Sequence, residues 1–244
     1  MLGAPGYISI DILCLLAYFL PVDNYDILQN KAIGFGADLF GVALTARLKD
    51  YISLEIADVA DSLPFIISIA VRLQKKILET LTDGPNLIYK AHYRQANNLL
   101  DKITFGIGQF IQKSGYDAMP ISASVITDWD NQRSHLSHRH AAQLAGLGFM
   151  GRHGLIVHPE YGAAIRLGSI LTDMPLHIDQ PRGDDCGDCC ACVAACPIGA
   201  ISVDGVAAFD GKACYELLKQ FEKRRGIGVM ICGLCIKACK GSKK

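Results

Sequence analysis

Cys186-Gly-Asp-Cys189-Cys190-Ala-Cys192-Val-Ala-Ala-Cys196-Pro197 is the stretch from which the rest of the chain is read. With Cys190 skipped it has the spacing C-x2-C-x2-C-x3-C-P, the ligand run of bacterial [4Fe–4S] proteins. A cubane needs four thiolates arriving from several directions. The x2 gaps let one tight loop cover three corners. The cysteine before the proline then points to a neighbouring cluster in two-cluster chains.

A second set follows: Cys214, then Cys232-Gly-Leu-Cys235-Ile-Lys-Ala-Cys239. The same logic predicts a crossed pairing of two [4Fe–4S] clusters. One takes Cys186, Cys189, Cys192 and Cys239; the other takes Cys196, Cys214, Cys232 and Cys235. The second half departs from a repeated run, since Val229 stands where a cysteine is expected and no proline follows Cys239. Cys214 then has to come from a preceding helix, and Asp210 to Phe221 reads as one. Cys14 and Cys190 are surplus, although Cys190 is placed to substitute for Cys189. Structural zinc sites use separated pairs rather than four ligand-spaced cysteines in one loop. Disulfides do not suit this many adjacent thiols without a secretory signal. Two clusters imply that electrons pass through the chain.

The 244 residues allow one sizeable domain and a small appended one. Half are hydrophobic, and 24 basic residues balance 24 acidic ones, so no global charge points to nucleic acid. Locally the charge is uneven. Asp179, Asp184, Asp185 and Asp188 flank the first cysteines, whereas Lys219, Lys223, Arg224, Arg225, Lys237, Lys240, Lys243 and Lys244 crowd the end. Solvated faces account for both. The sharper reading is a basic rim for an acidic electron donor, a ferredoxin or flavodoxin. Residues 7–20 are apolar but include Asp11, are short for a bilayer, and lack a signal peptide's basic start and cleavage site. A buried helix, or translation from too early a start codon, is expected there instead of an anchor. The thiol-rich chain is expected in the cytoplasm.

Before Pro181, helix and strand signals alternate. Asp23 to Lys31 reads as a helix. Leu39 to Thr45 and Pro64 to Val71 read as buried strands. Ala96, Leu99, Leu100, Ile103, Ile107, Phe110 and Ile111 lie on one face of a longer helix that Gly115 ends. Ala118 to Thr127 reads as a strand, and Ser134 as the cap of a helix to Leu144. Leu155 to His158 and Ala164 to Leu171 complete the strands. The expected fold is an α/β (α+β) domain with a mixed sheet, plus a C-terminal bacterial ferredoxin-like domain carrying two [4Fe–4S] clusters. The expected divisions are an apolar segment at 1–30, the α/β domain at 31–180 and the cluster domain at 181–244.

Gly146-Leu-Gly148-Phe-Met-Gly151 matches G-x-G-x-x-G. A dinucleotide loop follows a strand and opens a helix, but here a helix precedes and a strand follows, so NAD is not expected. What the loop offers is bare backbone beside Arg152 and His153, either as a tight connection or as a surface for a flat ligand.

From Ala145-Gly-Leu-Gly-Phe-Met-Gly-Arg-His-Gly to Leu167-Gly-Ser-Ile-Leu-Thr-Asp173, through Pro159-Glu-Tyr-Gly162 and straight into the cysteines, the chain resembles the epoxyqueuosine reductase and corrinoid-dependent reductive dehalogenase superfamily. Asp61-Ser-Leu-Pro-Phe-Ile-Ile-Ser-Ile-Ala70 also matches an early strand of the reductases. The resemblance covers about residues 30–240. It implies a cobalamin between the α/β domain and the clusters, with Gly148, Gly151, Arg152, His153 and Arg166 lining it. The reductases carry a proton-donating aspartate before the Ser134 helix. Direct counting puts Gln132 there, and Asp130 takes the role only if the loop shifts. Tyr93 stands where the family has a Tyr-His pair, with Arg94 replacing the histidine. His135 or His138 would be a proton donor titrating near neutrality. The catalytic candidates are therefore Asp130, His135 and Tyr93. The chain ends at Lys244 without the helical repeats that help the reductases hold tRNA, so a tRNA substrate is not expected. A corrinoid-dependent oxidoreductase acting on a small molecule is the leading expectation. A non-catalytic electron carrier or corrinoid-handling accessory protein is the alternative.

Overall fold

The computed structural model describes residues 23–128, 132–224 and 226–241, the side chain of Arg224 excepted. The expectations for residues 7–20 and for Asp130 lie outside them.

Helix α1 (Asn24–Gly34) is capped by Asp23, whose carboxylate accepts the Tyr25 N–H at 3.2 Å. Strand β1 (Leu39–Leu44) leads into a 3-10 turn (Thr45–Tyr51) and the short helix α2 (Ala57–Asp61). Then come β2 (Phe65–Arg72), α3 (Lys75–Glu79) and the 27-residue helix α4 (Leu87–Lys113). Strand β3 (Ala118–Ile121), helix α5 (His138–Leu144) and the small strands β4 (Phe149–Met150) and β5 (Ile156–Val157) precede β6 (Ile165–Thr172). Helices α6 (Ala191–Ala195), α7 (Gly211–Arg224) and α8 (Leu234–Ala238) carry the cysteine region.

The main sheet has the order β1-β2-β6-β3, and every neighbouring pair is antiparallel, which corrects the expected mixed sheet. The helix-strand alternation is nevertheless real. Strands β2 and β3, joined through α4, run the same way: Phe65 and Ala118 both face Thr172. Strand β6 inserts between them, so the crossover unit is split and no parallel pair forms. β2 reads as a continuous apolar run because both its faces are covered. Ile67, Ile69 and Val71 meet Leu100, Ile103 and Ile107 of α4, while Ile66 and Ala70 meet Ala141 and Ala142 of α5.

Two boundaries move. β3 stops at Ile121 because the Asp101 carboxylate draws in the Ala123 N–H at 2.9 Å and the Ser122 hydroxyl at 3.2 Å, bending the chain. The cap of α5 is Ser137 rather than Ser134; its side chain accepts the His140 N–H. The cysteine region shares the main core. Ile227, Ile231 and Leu234 are buried with Leu81 and Tyr89.

Candidate redox site

One polar cluster sits where β6 meets α4. Arg166 Nε donates to Asn97 Oδ1 at 3.0 Å, and its Nη2 donates to the Tyr93 hydroxyl oxygen at 3.2 Å. Tyr93 and Asn97 are one helical turn apart on α4 and face the same way. Burial raises the Tyr93 pKa, but the Arg166 charge and the bonds with Ser124 and Asn97 win, and it lies below its ordinary value. The Ser122–Ser124 turn is held from both sides: Tyr93 and Asp101 reach it from α4, and His138 from α5. His138 Nε2 lies 3.0 Å from the Ser122 carbonyl, so it carries the proton and donates; Nδ1 then accepts from the Ser169 hydroxyl at 2.8 Å. Burial lowers its pKa to about 4, leaving a neutral ring at physiological pH. His135 is elsewhere. Its Nδ1 is 3.8 Å from a Glu55 carboxylate oxygen, and its carbonyl accepts the Ser53 N–H. Of the catalytic candidates among the described residues, Tyr93 joins Arg166 and His135 does not.

The glycine loop is filled by protein. It joins a helix to a strand, as its order in the sequence implies. A Cβ on Gly148 would meet Ile156 Cγ2 at 2.8 Å, and one on Gly151 would meet Val157 Cγ2 at 2.6 Å. His153 is 3% exposed; its Nδ1 accepts the Leu155 N–H, and burial lowers its pKa to about 4. Arg152 turns to the cysteine run. It donates to the carbonyls of Cys189 at 3.2 Å, Gly187 at 2.7 Å and Val203.

The thiols influence one another in two groups joined through Cys192 and Cys235. Burial, then the charges of Cys239, Cys186 and Cys189, push Cys192 up to about 11. Burial raises Cys214, with Cys196 adding to the effect. Cys232 goes to about 11 through burial, with Cys214 and Cys196 contributing. Burial takes Cys235 to about 12, followed by Cys232, Cys214 and Cys192. Buried thiols without metal therefore stay protonated, and coordination is what would draw out the thiolates. Among the described residues no three His, Cys, Asp or Glu side chains converge on a single-ion position. A cubane spreads its ligands wider than one ion, so this donor set fits a cluster in chemistry and in grouping. Beneath the second set lies Tyr89, which is 1% exposed. A Cβ on Gly233 would meet its ring at 2.9 Å, and Gly233 itself has φ +89°.

A cavity of about 1010 Å³ lies between the end of β2, α3 and α8, with Cys239 in its wall. None of Gly148, Gly151, Arg152, His153 and Arg166 lines it.

The fold and much of the sequence have counterparts in known proteins. The epoxyqueuosine reductase of Vibrio cholerae is 33% identical over 174 residues, covering 66% of this chain and 43% of that protein. A solved epoxyqueuosine reductase, bound to a modified tRNA-Tyr stem loop, aligns over 88% of this chain and 64% of its own. That match has a TM-score of 0.61 at 21% identity. The chain is related in sequence to the epoxyqueuosine reductases and shares its fold with them and with reductive dehalogenases. A reductive dehalogenase, whose structure suggested a B12-dependent mechanism, aligns over 90% of this chain and 32% of its own, with a TM-score of 0.67 at 20% identity. No family profile matches. The chain spans less than half the length of the curated relatives named for epoxyqueuosine reduction. No helix among the described residues is long and apolar enough to cross a membrane. Asn97, Ser124 and Tyr89 were not anticipated from the sequence. The four-residue step from Tyr93 to Asn97 was the available signal for the first.

Proposed function

We propose that this chain is a cytoplasmic iron–sulfur reductase. Electrons from an external protein donor pass through two [4Fe–4S] clusters to an acceptor held beside Tyr93 and Arg166. The cysteine spacing carries the reading: Cys186, Cys189, Cys192 and Cys196 stand in one ligand run, and α6 packs against α8, which brings Cys235 and its neighbours Cys232 and Cys239 toward it. In this reading residues 181–244 form the cluster domain, and residues 31–180 supply the acceptor site. Cys186, Cys189, Cys192 and Cys239 would hold one cluster; Cys196, Cys214, Cys232 and Cys235 would hold the other. Tyr89 is near enough to feel the charges of Arg166 and Tyr93 as well as those of Cys235 and Cys232, which supports a link from that cluster to the site.

Reductive cleavage consumes a proton as well as electrons. Tyr93 is suited to hold it: Arg166 and Asn97 stabilise the phenolate left after donation, while His138 stays neutral with both ring nitrogens occupied. A corrinoid at this face would supply a low-valent metal centre able to attack the substrate. The resemblance and the B12-dependent dehalogenase of the same fold support that acceptor, with Arg166 the candidate nearest the proton site. One observation favours a second reading, a non-catalytic electron carrier: the Gly148–Gly151 backbone is covered by Val157 and Ile156 rather than left open. Titration of the anaerobic holoprotein with cobalamin under strong reductant separates the two readings. Corrinoid bands that bind and change on reduction support the reductase. A cluster-only spectrum in excess cobalamin refutes it in favour of the carrier, and zinc without acid-labile sulfide refutes both.

A further inference from the structure

We infer that the cavity beside Cys239 is the docking face for a small acidic electron-carrier protein, so that electrons enter through the cluster to which Cys239 belongs. This rests on the two-cluster reading above and assigns its donor a place. Among that cluster's ligands, Cys189 is exposed and Cys239 reaches solvent at the cavity wall. Along the loop where Cys189 is exposed, Asp185 and Asp188 would repel an acidic partner, Asp184 being paired with Arg182 at 2.7 Å. At Cys239 the cavity sets Arg72, Lys75, Lys237 and Lys240 against Glu79 and Glu160.

The geometry leaves these cations available. Arg72 lies over the Tyr161 ring at 4.0 Å. Lys237 is fixed by the carbonyls of Glu79 and Leu81, and Lys240 by that of Lys237 at 3.3 Å. No ion pair among the described residues takes up any of the four; the Glu79 carboxylate is paired with Lys76 at 2.7 Å. Carbonyls hold the ammonium groups in place without cancelling their charge. Arg72, Lys75 and Lys240 are exposed at the rim, while Cys239 is half-buried in the wall. Redox partners dock through small, transient interfaces in which charge sets the encounter rate more than the affinity. A concave basic rim with a cluster ligand in its wall has those features.

The test is stopped-flow reduction of the holoprotein by a flavodoxin of net negative charge, poised as its anionic hydroquinone. One electron leaves the flavin, giving the neutral semiquinone, and one cluster goes from the 2+ to the 1+ state. Lys75→Glu with Lys240→Glu is expected to lower the bimolecular rate about tenfold or more at low salt. The deficit should vanish near 1 M salt, where the screening length falls to about 3 Å. Titration with oxidised flavodoxin, which reads binding without electron transfer, should weaken in parallel. Lys219→Glu with Lys223→Glu on α7 should change neither. Equal rates and salt slopes for wild type and the Lys75/Lys240 pair, in a protein whose clusters dithionite still bleaches, overturn the docking face alone. A slower rate in the α7 pair overturns it as well. Failure of dithionite to bleach any cluster absorbance would instead remove the two-cluster reading beneath it.

Discussion

Replacing Gly162 with alanine should cost the protein one of the two clusters proposed above. Gly162 closes the His158–Gly162 turn with φ +61°, a region that costs an L-residue about 1–2 kcal/mol. A Cβ there would collide with the Cys239 carbonyl oxygen and lie 2.8 Å from its carbon and 2.9 Å from the Gly241 nitrogen. These are backbone atoms, with no rotamer to yield, and overpacking of this kind adds about 1–3 kcal/mol. The next residue, Ala163, contributes a backbone hydrogen bond to the Cys239 thiol, so the turn both spaces and orients that ligand. The sum is about 2–5 kcal/mol, relieved most directly by moving the Cys239 peptide away. Iron and acid-labile sulfide analysis should find a fall from about eight to about four irons per chain. Cys196, Cys214, Cys232 and Cys235 lie outside the disturbed turn and should keep theirs. Gly183→Ala is the control, because its Cβ would meet nothing within 4 Å. Full iron content and an unchanged denaturation midpoint in Gly162→Ala would refute the assignment of Cys239 as a ligand held by this turn.

Two further outcomes follow from the polar cluster. The ultraviolet titration of wild type minus Tyr93→Phe should show a phenolate forming below the ordinary value near 10. Arg166→Gln should move that step upward, since only the Ser124 and Asn97 bonds then oppose burial; a step unmoved by Arg166→Gln would rule out the pairing. The pKa of His138 is lowered on folding, from 6.5 to about 4, so its contribution is fully present above 6.5 and is lost as pH falls toward 4. Between pH 7 and 5 this amounts to about 2 kcal/mol. Urea denaturation at the two pH values should show His138→Gln losing that much less than wild type, and equal losses would contradict the neutral ring.

Much of the α/β body was legible because apolar periodicity is a local signal. The α4 stripe of Ala96, Leu100, Ile103, Ile107 and Ile111 is buried as its spacing implies, and only Leu99 turns outward. Strand direction was not legible. β2 looks the same whether its covered faces belong to a parallel or an antiparallel neighbour, and the insertion of β6 is a contact across about a hundred residues. The glycine loop shows the limit for sites. Three glycines read equally as openness to a ligand and as room for protein, and the Cβ contacts with Val157 and Ile156 show the second. Arg152, beside that loop, spends its guanidinium on carbonyls whose positions no spacing rule could reveal. The cysteine spacing is a signal of another kind, because a cluster constrains sequence directly, through loop lengths between its corners.

The contacts that hold the cysteine region explain how a small segment could carry such a cofactor. Its apolar anchor is modest: Ile227, Ile231 and Leu234 against Leu81 and Tyr89. The remaining grip named here is polar and reaches backbone. Arg152 holds Gly187, Cys189 and Val203, Lys237 holds Glu79 and Leu81, and the Gly162 and Gly241 backbones interlock. Carbonyls bound this way hold the cysteine loops by their backbone, independently of the side chains those loops carry. Such contacts do not offset the burial that drives Cys235 to about 12 and Cys192 and Cys232 to about 11. Thiols that resist ionisation in the fold but ionise on binding iron make metal affinity part of the folding free energy. The body therefore sets where the ligands stand, and the metal supplies the energy that keeps them there.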